Sequence, residues 1–143
     1  MTPTVVARID RDVVVVSGPD ATSFLQSLLS QDLAAVAVGE SVHSLLLEPR
    51  GKLVVDLRAT HLADDEWWCT CEAGFGTVLA EGLKRFRIRV KVEIDDRSGG
   101  VDALALRGPE ADALLESAVD PDAVVVVRVD WPDALGVLSL IHI

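Results

Sequence analysis

Val16-Ser17-Gly18-Pro19-Asp20-Ala21 closes a run of β-branched residues and opens a helical pattern. Ninety residues on, Leu106-Arg107-Gly108-Pro109-Glu110-Ala111 does the same. Proline suits the first turn of a helix, and an acid there faces the positive end of the helix dipole. After the first opener, Phe24, Leu25, Leu28 and Leu29 recur at helical spacing, which predicts a helix from about Pro19 to Ser30. After the second, Leu114, Leu115 and Ala118 do likewise, and Asp120-Pro121-Asp122 ends the pattern. Two strand–Gly-Pro-acid-Ala–helix passages suggest two related α/β units. Gly-Pro-acid is also a common helix opener, so recurrence without duplication explains the same pattern.

The flanking sequence supplies strands. Thr4–Ile9 and Asp12–Ser17 read as a hairpin turning at Arg11-Asp12. Val42–Glu48 and Lys52–Leu62 flank the turn Glu48-Pro49-Arg50-Gly51, and Glu66–Glu72 follows a turn at Ala63-Asp64-Asp65. Gly74-Phe75-Gly76 breaks the pattern. A helix follows with Val78, Leu79, Leu83 and Phe86 on its buried side, then an alternating strand from Ile88 to Ile94. Val101–Leu106 and Val124–Val129 are the strands of the second passage. The expected fold is α+β: a mixed, largely antiparallel sheet with helices packed on it. Residues 1–97 form the first unit and 98–143 the start of a second, incomplete one. The uncapped apolar ending Leu138–Ile143 is expected to be a truncation carrying foreign final residues.

Composition narrows the function. The chain has 143 residues, half of them hydrophobic, and a net charge of −10. A single compact chain of this length buries about 68–70% of its unfolded surface. The acidic balance argues against nucleic acid and against anionic membranes as partners. No charge-free apolar stretch reaches the ~20 residues of a membrane span. Charges interrupt the N-terminus before a signal-peptide core forms, so the cytoplasm is the expected compartment.

Several constellations lead nowhere. Gly74-Phe75-Gly76 lacks the third glycine of a dinucleotide fingerprint, because Leu79 stands there. Pro19 and Pro109 remove backbone donors that a phosphate would need. Cys69 and Cys71 fall on one strand face and read as buried structural thiols, and the three histidines have no metal-ligand spacing, so no metal is expected. Two features retain a functional reading beside a structural one. Asp56 lies mid-strand beside Arg58, opposite an apolar face. It forms a strand-face ion pair, or it is a carboxylate that binds a nitrogen heterocycle or moves a proton. Arg87, Arg89 and Lys91 share one face of the expected strand, as a solvated charge run or a local anion site.

The order of these pieces resembles the YgfZ and glycine-cleavage T-protein family of aminomethyltransferase-like folate-binding proteins. The likeness runs through Val16–Ala21, Phe24-Leu25-Gln26, Gln31-Asp32, Leu45–Lys52, Asp56-Leu57 and Leu83–Ile94. It implies an internally duplicated folate-binding fold and tetrahydrofolate as cofactor. T-proteins transfer an aminomethyl carbon to tetrahydrofolate and carry a Gly-Gly-x-x-Asp-Asp strand. Here Gly51-Lys52-Leu53-Val54-Val55-Asp56 keeps the second Asp and has Val55 for the first. Their Val-Asn-Ala segment stands as Cys71-Glu72-Ala73. These departures favour the YgfZ branch, which implies non-catalytic support of iron–sulfur cluster assembly or repair, with iron–sulfur proteins as partners. The Lys-Gly-Cys-Tyr-x-Gly-Gln-Glu motif of that branch does not occur here. The candidate folate set is Asp56 and Glu72 for the pterin, with Arg58 beside them and Arg87, Arg89 and Lys91 for the glutamate tail. In the alternative reading, an aminomethyltransferase, Asp56 assists proton transfer at a folate nitrogen. In a third, a truncated fragment binds no ligand by itself.

Overall fold

A computed structural model describes residues 3–118, 124–131 and 134–142. The elements in chain order are β1 (Val5–Ile9), β2 (Arg11–Ser17), α1 (Ala21–Leu28), a 3-10 turn at Leu33–Ala35, β3 (Ser41–Leu47), β4 (Leu53–Ala63), β5 (Glu66–Glu72), α2 (Gly76–Lys84), β6 (Glu93–Asp96), β7 (Val101–Arg107), α3 (Ala111–Ala118), β8 (Val124–Trp131) and β9 (Ala134–His142). The class is α+β, and the strand pairings are antiparallel. The chain divides into two compact units, Arg11–Gly99 on the one hand and Met1–Asp10 with Gly100–Ile143 on the other.

The Arg11–Gly99 unit holds a five-stranded sheet in the order β3-β4-β5-β2-β6. Period-2 alternation on β4 sends Val55, Leu57 and Ala59 into the core, where Val14, Val16, Trp67 and Cys69 join them from β2 and β5. Phe24 and Leu25 of α1 and Leu79 and Leu83 of α2 cover that face. All four valines Val13–Val16 are buried, so neither face of β2 is solvated along that stretch. Long continuous apolar runs are the mark of such strands.

Helix α1 begins at Ala21 rather than Pro19, and Asp20 does not cap it. The Asp20 carboxylate instead accepts from Lys91 N at 2.8 Å, and Asp20 N donates to Lys91 O at 3.3 Å. Those bonds require close approach at Gly18, which has φ +125° and whose added Cβ would lie 2.3 Å from Lys91 O. Gly108 repeats the arrangement with φ +132° and a would-be Cβ 2.5 Å from Thr4 Cα. The following turns match as well: Ala21 N donates to Gly18 O and Ala111 N to Gly108 O. The two openers are thus the same local structure.

Three sequence expectations are corrected. The β1–β2 hairpin does not form. Only Asp10 separates the two strands, one residue short of the commonest hairpin loop, and both edges of β2 are taken by β5 and β6. β1 pairs instead with β7, Val5 opposite Arg107, in a sheet ordered β1-β7-β9-β8. Secondly, the strand expected from Ile88 spans only Glu93–Asp96. Residues 85–92 turn irregularly, with Arg89 at φ +57°, because the bonds to Asp20 hold Lys91 against the Gly18 turn. Thirdly, Val78 and Phe86 are exposed, and Gly76 and Ala80 join Leu79 and Leu83 on the buried side of α2. Leu138–Ile141 is paired on both sides, because β9 lies between β7 and β8. The helix stop at Asp120-Pro121-Asp122 lies outside the described residues.

The two close approaches make a stability prediction. Gly18→Ala must both strain a left-handed residue and push backbone away, so it should cost more than about 2 kcal/mol in urea unfolding. Gly51→Ala, at φ +86° with nothing within 4 Å of its Cβ, should cost about 1 kcal/mol. Equal costs would show that the Lys91 contact contributes nothing.

Candidate functional site

One end of the five-stranded sheet gathers the start of β4, the end of β5, the start of β2 and the turn before α2. In the register, Arg11 lies opposite Glu72 and Leu57 opposite Cys71. A cleft of about 420 Å³ opens there, lined by Arg11, Leu53, Val54, Val55, Asp56, Glu72 and Phe75. It therefore contains two carboxylates, one guanidinium and one aromatic face. Carboxylates accept and do not donate when ionised, so this cleft suits a ligand rich in N–H groups. An exposed Phe75 beside them offers a flat ring a stacking surface.

The turn bearing Phe75 is built by Asp12, a side chain that no sequence motif marks. Asp12 Oδ2 accepts from Gly74 N and Gly76 N, both at 2.9 Å. A Cβ on Gly76 would lie 2.1 Å from Ser98 Oγ and 2.9 Å from Asp12 Oδ2. The amides that a phosphate would use at this helix start are thus already held by an internal carboxylate. The Gly-Phe-Gly turn is an architectural device that presents Phe75.

The expected site residues divide. Asp56 and Glu72 share the cleft. Arg58 is half-buried on the same strand and donates from Nη1 to Ser41 Oγ at 3.1 Å, outside the cleft lining. Arg87, Arg89 and Lys91 do not share a strand face and do not line the cleft, because residues 85–92 leave the sheet. Lys91 instead borders a hollow formed with Gly18 and Pro19. Residues the reading missed are Arg11, Phe75 and His43, whose Nε2 is hydrogen-bonded to Asp56 Oδ1. Exposed Phe75 between two glycines was the available signal for one of them. A second hollow of about 340 Å³ between α2 and the β3–β4 turn shares Val54 with the cleft and includes Val78, Glu81, Arg85 and Phe86.

Cys69 and Cys71 point into the core and take no part in the cleft. Burial pushes the Cys69 thiol up to about 12, with the neighbouring Cys71 adding to the rise. Burial also raises Cys71 to about 12, helped by Asp12 and Asp96 and opposed by Arg11. His61 is structural too. It stacks on Trp67 at 4.2 Å, and its Nδ1 bonds Val36 O at 2.8 Å. Among the described residues, no three His, Cys, Asp or Glu side chains converge as metal ligands, and no helix is long and apolar enough to cross a membrane.

Residues 11–131 match the family model described as the GCVT N-terminal domain. The chain belongs to this family. It is 32% identical over 109 residues to an aminomethyltransferase of Herpetosiphon aurantiacus, covering 76% of this chain and 30% of the relative. It is 36% identical over 105 residues to an aminomethyltransferase of Cutibacterium acnes, covering 73% and 28%. The chain thus spans about 30% of the length of these relatives. In structure it superposes on the glycine cleavage system aminomethyltransferase T of Bartonella henselae with a TM-score of 0.84 at 22% identity, over 97% of this chain and 42% of the other. A heterotetrameric sarcosine oxidase of Corynebacterium sp. U-96 gives 0.61 at 15% identity over 97% and 75%. Both likenesses are of fold.

The thiols give a pH prediction. The folded chain favours the neutral thiol, so stability from these groups is complete below about 9, where unfolded cysteine ionises, and is lost as pH rises from there toward about 12. Urea midpoints should fall over that interval, and Cys69→Ala/Cys71→Ala should flatten the fall. Reaction of native protein with a thiol reagent at pH 8 should occur only as fast as the protein unfolds.

Proposed function

We propose that the Arg11–Gly99 unit carries the pterin-binding face of a tetrahydrofolate-dependent protein of aminomethyltransferase type. The observation that carries this reading is the convergence of Asp56 and Glu72 with Phe75 on one cleft. Its volume of about 420 Å³ falls within the usual small-molecule range of about 300–1,000 Å³. Two acceptors match the N–H and NH2 edge of a reduced pterin, and Phe75 lies where a ring would stack. Arg11, opposite Glu72, moderates the repulsion between two acids. The chain's residues therefore fit the group that the family implies.

Tetrahydrofolate, when bound, supplies the nitrogen that accepts a one-carbon unit. Asp56 orients the heterocycle and holds a proton acceptor beside it. Leu53 and Val54 give the cleft its apolar wall. Aminomethyl transfer is the reading supported by relatives that carry that name. A second reading, YgfZ-type folate-dependent support of iron–sulfur cluster assembly or repair with iron–sulfur proteins as partners, draws on Val55 and Glu72. Val55 is 3% exposed and packs in the core, so the first carboxylate of the transferase strand has no counterpart at this position.

Calorimetric titration of the 143-residue chain with tetrahydrofolate tests the binding. Asp56→Ala should weaken it about ten- to a hundredfold, the worth of a hydrogen bond to a charged group. Phe75→Ala should weaken it about fivefold through lost stacking. Equal affinity in wild type and Asp56→Ala would remove Asp56 from the site. Formation of methylenetetrahydrofolate by the whole protein separates the two readings: turnover supports the transferase, and folate binding without turnover supports the second.

A further inference from the structure

Asp56 and Arg58 stand two residues apart on one face of β4, the spacing at which a strand pairs its own charges. Arg58 Nη1 is turned to Ser41 Oγ on β3. Asp56 Oδ1 is met by Nε2 of His43, also on β3. In the register His43 lies opposite Arg58 and Leu45 opposite Asp56, so the histidine reaches the carboxylate diagonally. Diagonal neighbours across a sheet are within reach of long side chains. Period-2 alternation explains why His43 is available: Ser44 and Leu46 turn inward and are buried, which puts His43 on the outer face with Asp56. The groups that surround Asp56 are then His43 on β3, Arg58 on its own strand, Glu72 on β5 and Arg11 on β2.

We propose that His43 is the positioning residue for Asp56: donating from Nε2 to Oδ1, it fixes the carboxylate and leaves Oδ2 as the acceptor for the ligand's N–H in the cleft. This rests on the folate reading of that cleft and deepens it. A carboxylate at a strand surface samples several rotamers, and binding must otherwise select one. A histidine donor already in place removes that cost. It also fixes the direction in which Asp56 points, whereas an arginine in a fork on both oxygens would occupy the acceptors that a ligand needs. Donation from Nε2 requires the Nε2–H tautomer or the imidazolium, so the assignment has a spectroscopic signature.

The test uses the 143-residue chain with 15N-labelled histidine. Long-range 1H–15N spectra at neutral pH should show His43 protonated at Nε2. Asp56→Asn should shift that resonance, and added tetrahydrofolate should shift it too. In calorimetry, His43→Phe should weaken tetrahydrofolate binding about three- to tenfold, and His43→Gln, which keeps a donor at the Nε2 position, should recover most of it. In the Asp56→Asn background His43→Phe should change nothing. A residue that merely supports the strand would not be rescued by glutamine, and its effect would persist without Asp56. Folate bound equally well by wild type and His43→Phe overturns the positioning role and leaves the cleft reading intact. A His43 resonance indifferent to Asp56→Asn overturns it as well. Wild type that takes up no tetrahydrofolate overturns the cleft reading, and the role of His43 falls with it.

Discussion

One carboxylate, Asp12, holds the working end of the sheet together. Its Oδ2 receives the amides of Gly74 and Gly76, and so decides where β5 stops, where α2 starts and which way Phe75 looks. A bond between a charged acceptor and backbone amides is worth about 1.5–3 kcal/mol, more than a neutral pair. The amides of a first helical turn would otherwise lack partners. Three of the groups that give the cleft its chemistry sit within a few residues of this junction, and Asp56 joins them from β4. Glu72 ends the strand before it, Phe75 rides on the turn, and Arg11 is Asp12's neighbour on β2. The geometry tolerates only glycine at Gly76, where a side chain would collide with Ser98 and Asp12.

The same strand is anchored at its other end by the Gly18 turn. There the backbone of residues 91–92 comes so close that a methyl group would not fit, and Asp20 bonds Lys91 by both its amide and its carboxylate. Between these two anchors lie four consecutive buried valines. β2 is therefore rigid where it carries no chemistry and delivers Arg11 and Asp12 at a defined place. Rigid strands bearing a binding constellation hold it better than loops do.

Much of this was legible in the chain. The alternation of Leu53–Ala59 placed Asp56 on the face away from the core, and β5 was found at Glu66–Glu72. Both openers are legible, because proline, acid and glycine leave a strong local mark. What failed was nonlocal. Thr4–Ile9 and Asp12–Ser17 look like a hairpin to any local rule, and only the competition of β5 and β6 for β2 excludes it. Ile88–Ile94 alternates well enough for a strand, yet the pull of Asp20, seventy-one residues away, bends it out of the sheet. The same bend disperses the cations Arg87, Arg89 and Lys91 that shared a face on paper. His43 carries no metal-ligand spacing to mark it, and its carboxylate partner lies thirteen residues distant on the next strand.

The reciprocal pairing of the opening strands carries a topological consequence. β1 directly precedes β2 but completes the sheet of β7; β6 directly precedes β7 but completes the sheet of β2. Each sheet thus includes a strand that directly precedes an inner strand of the other. During synthesis the first ten residues emerge long before β7 exists, and must wait about a hundred residues for a mate. Such sequence separation is what slows folding, because loop closure is entropically paid before the contact returns anything. Nor would a protease nick near Gly99-Gly100 free two autonomous halves. The amino-terminal piece would keep a strand hydrogen-bonded into the carboxy-terminal sheet, and the fragments would stay laced together without a covalent link.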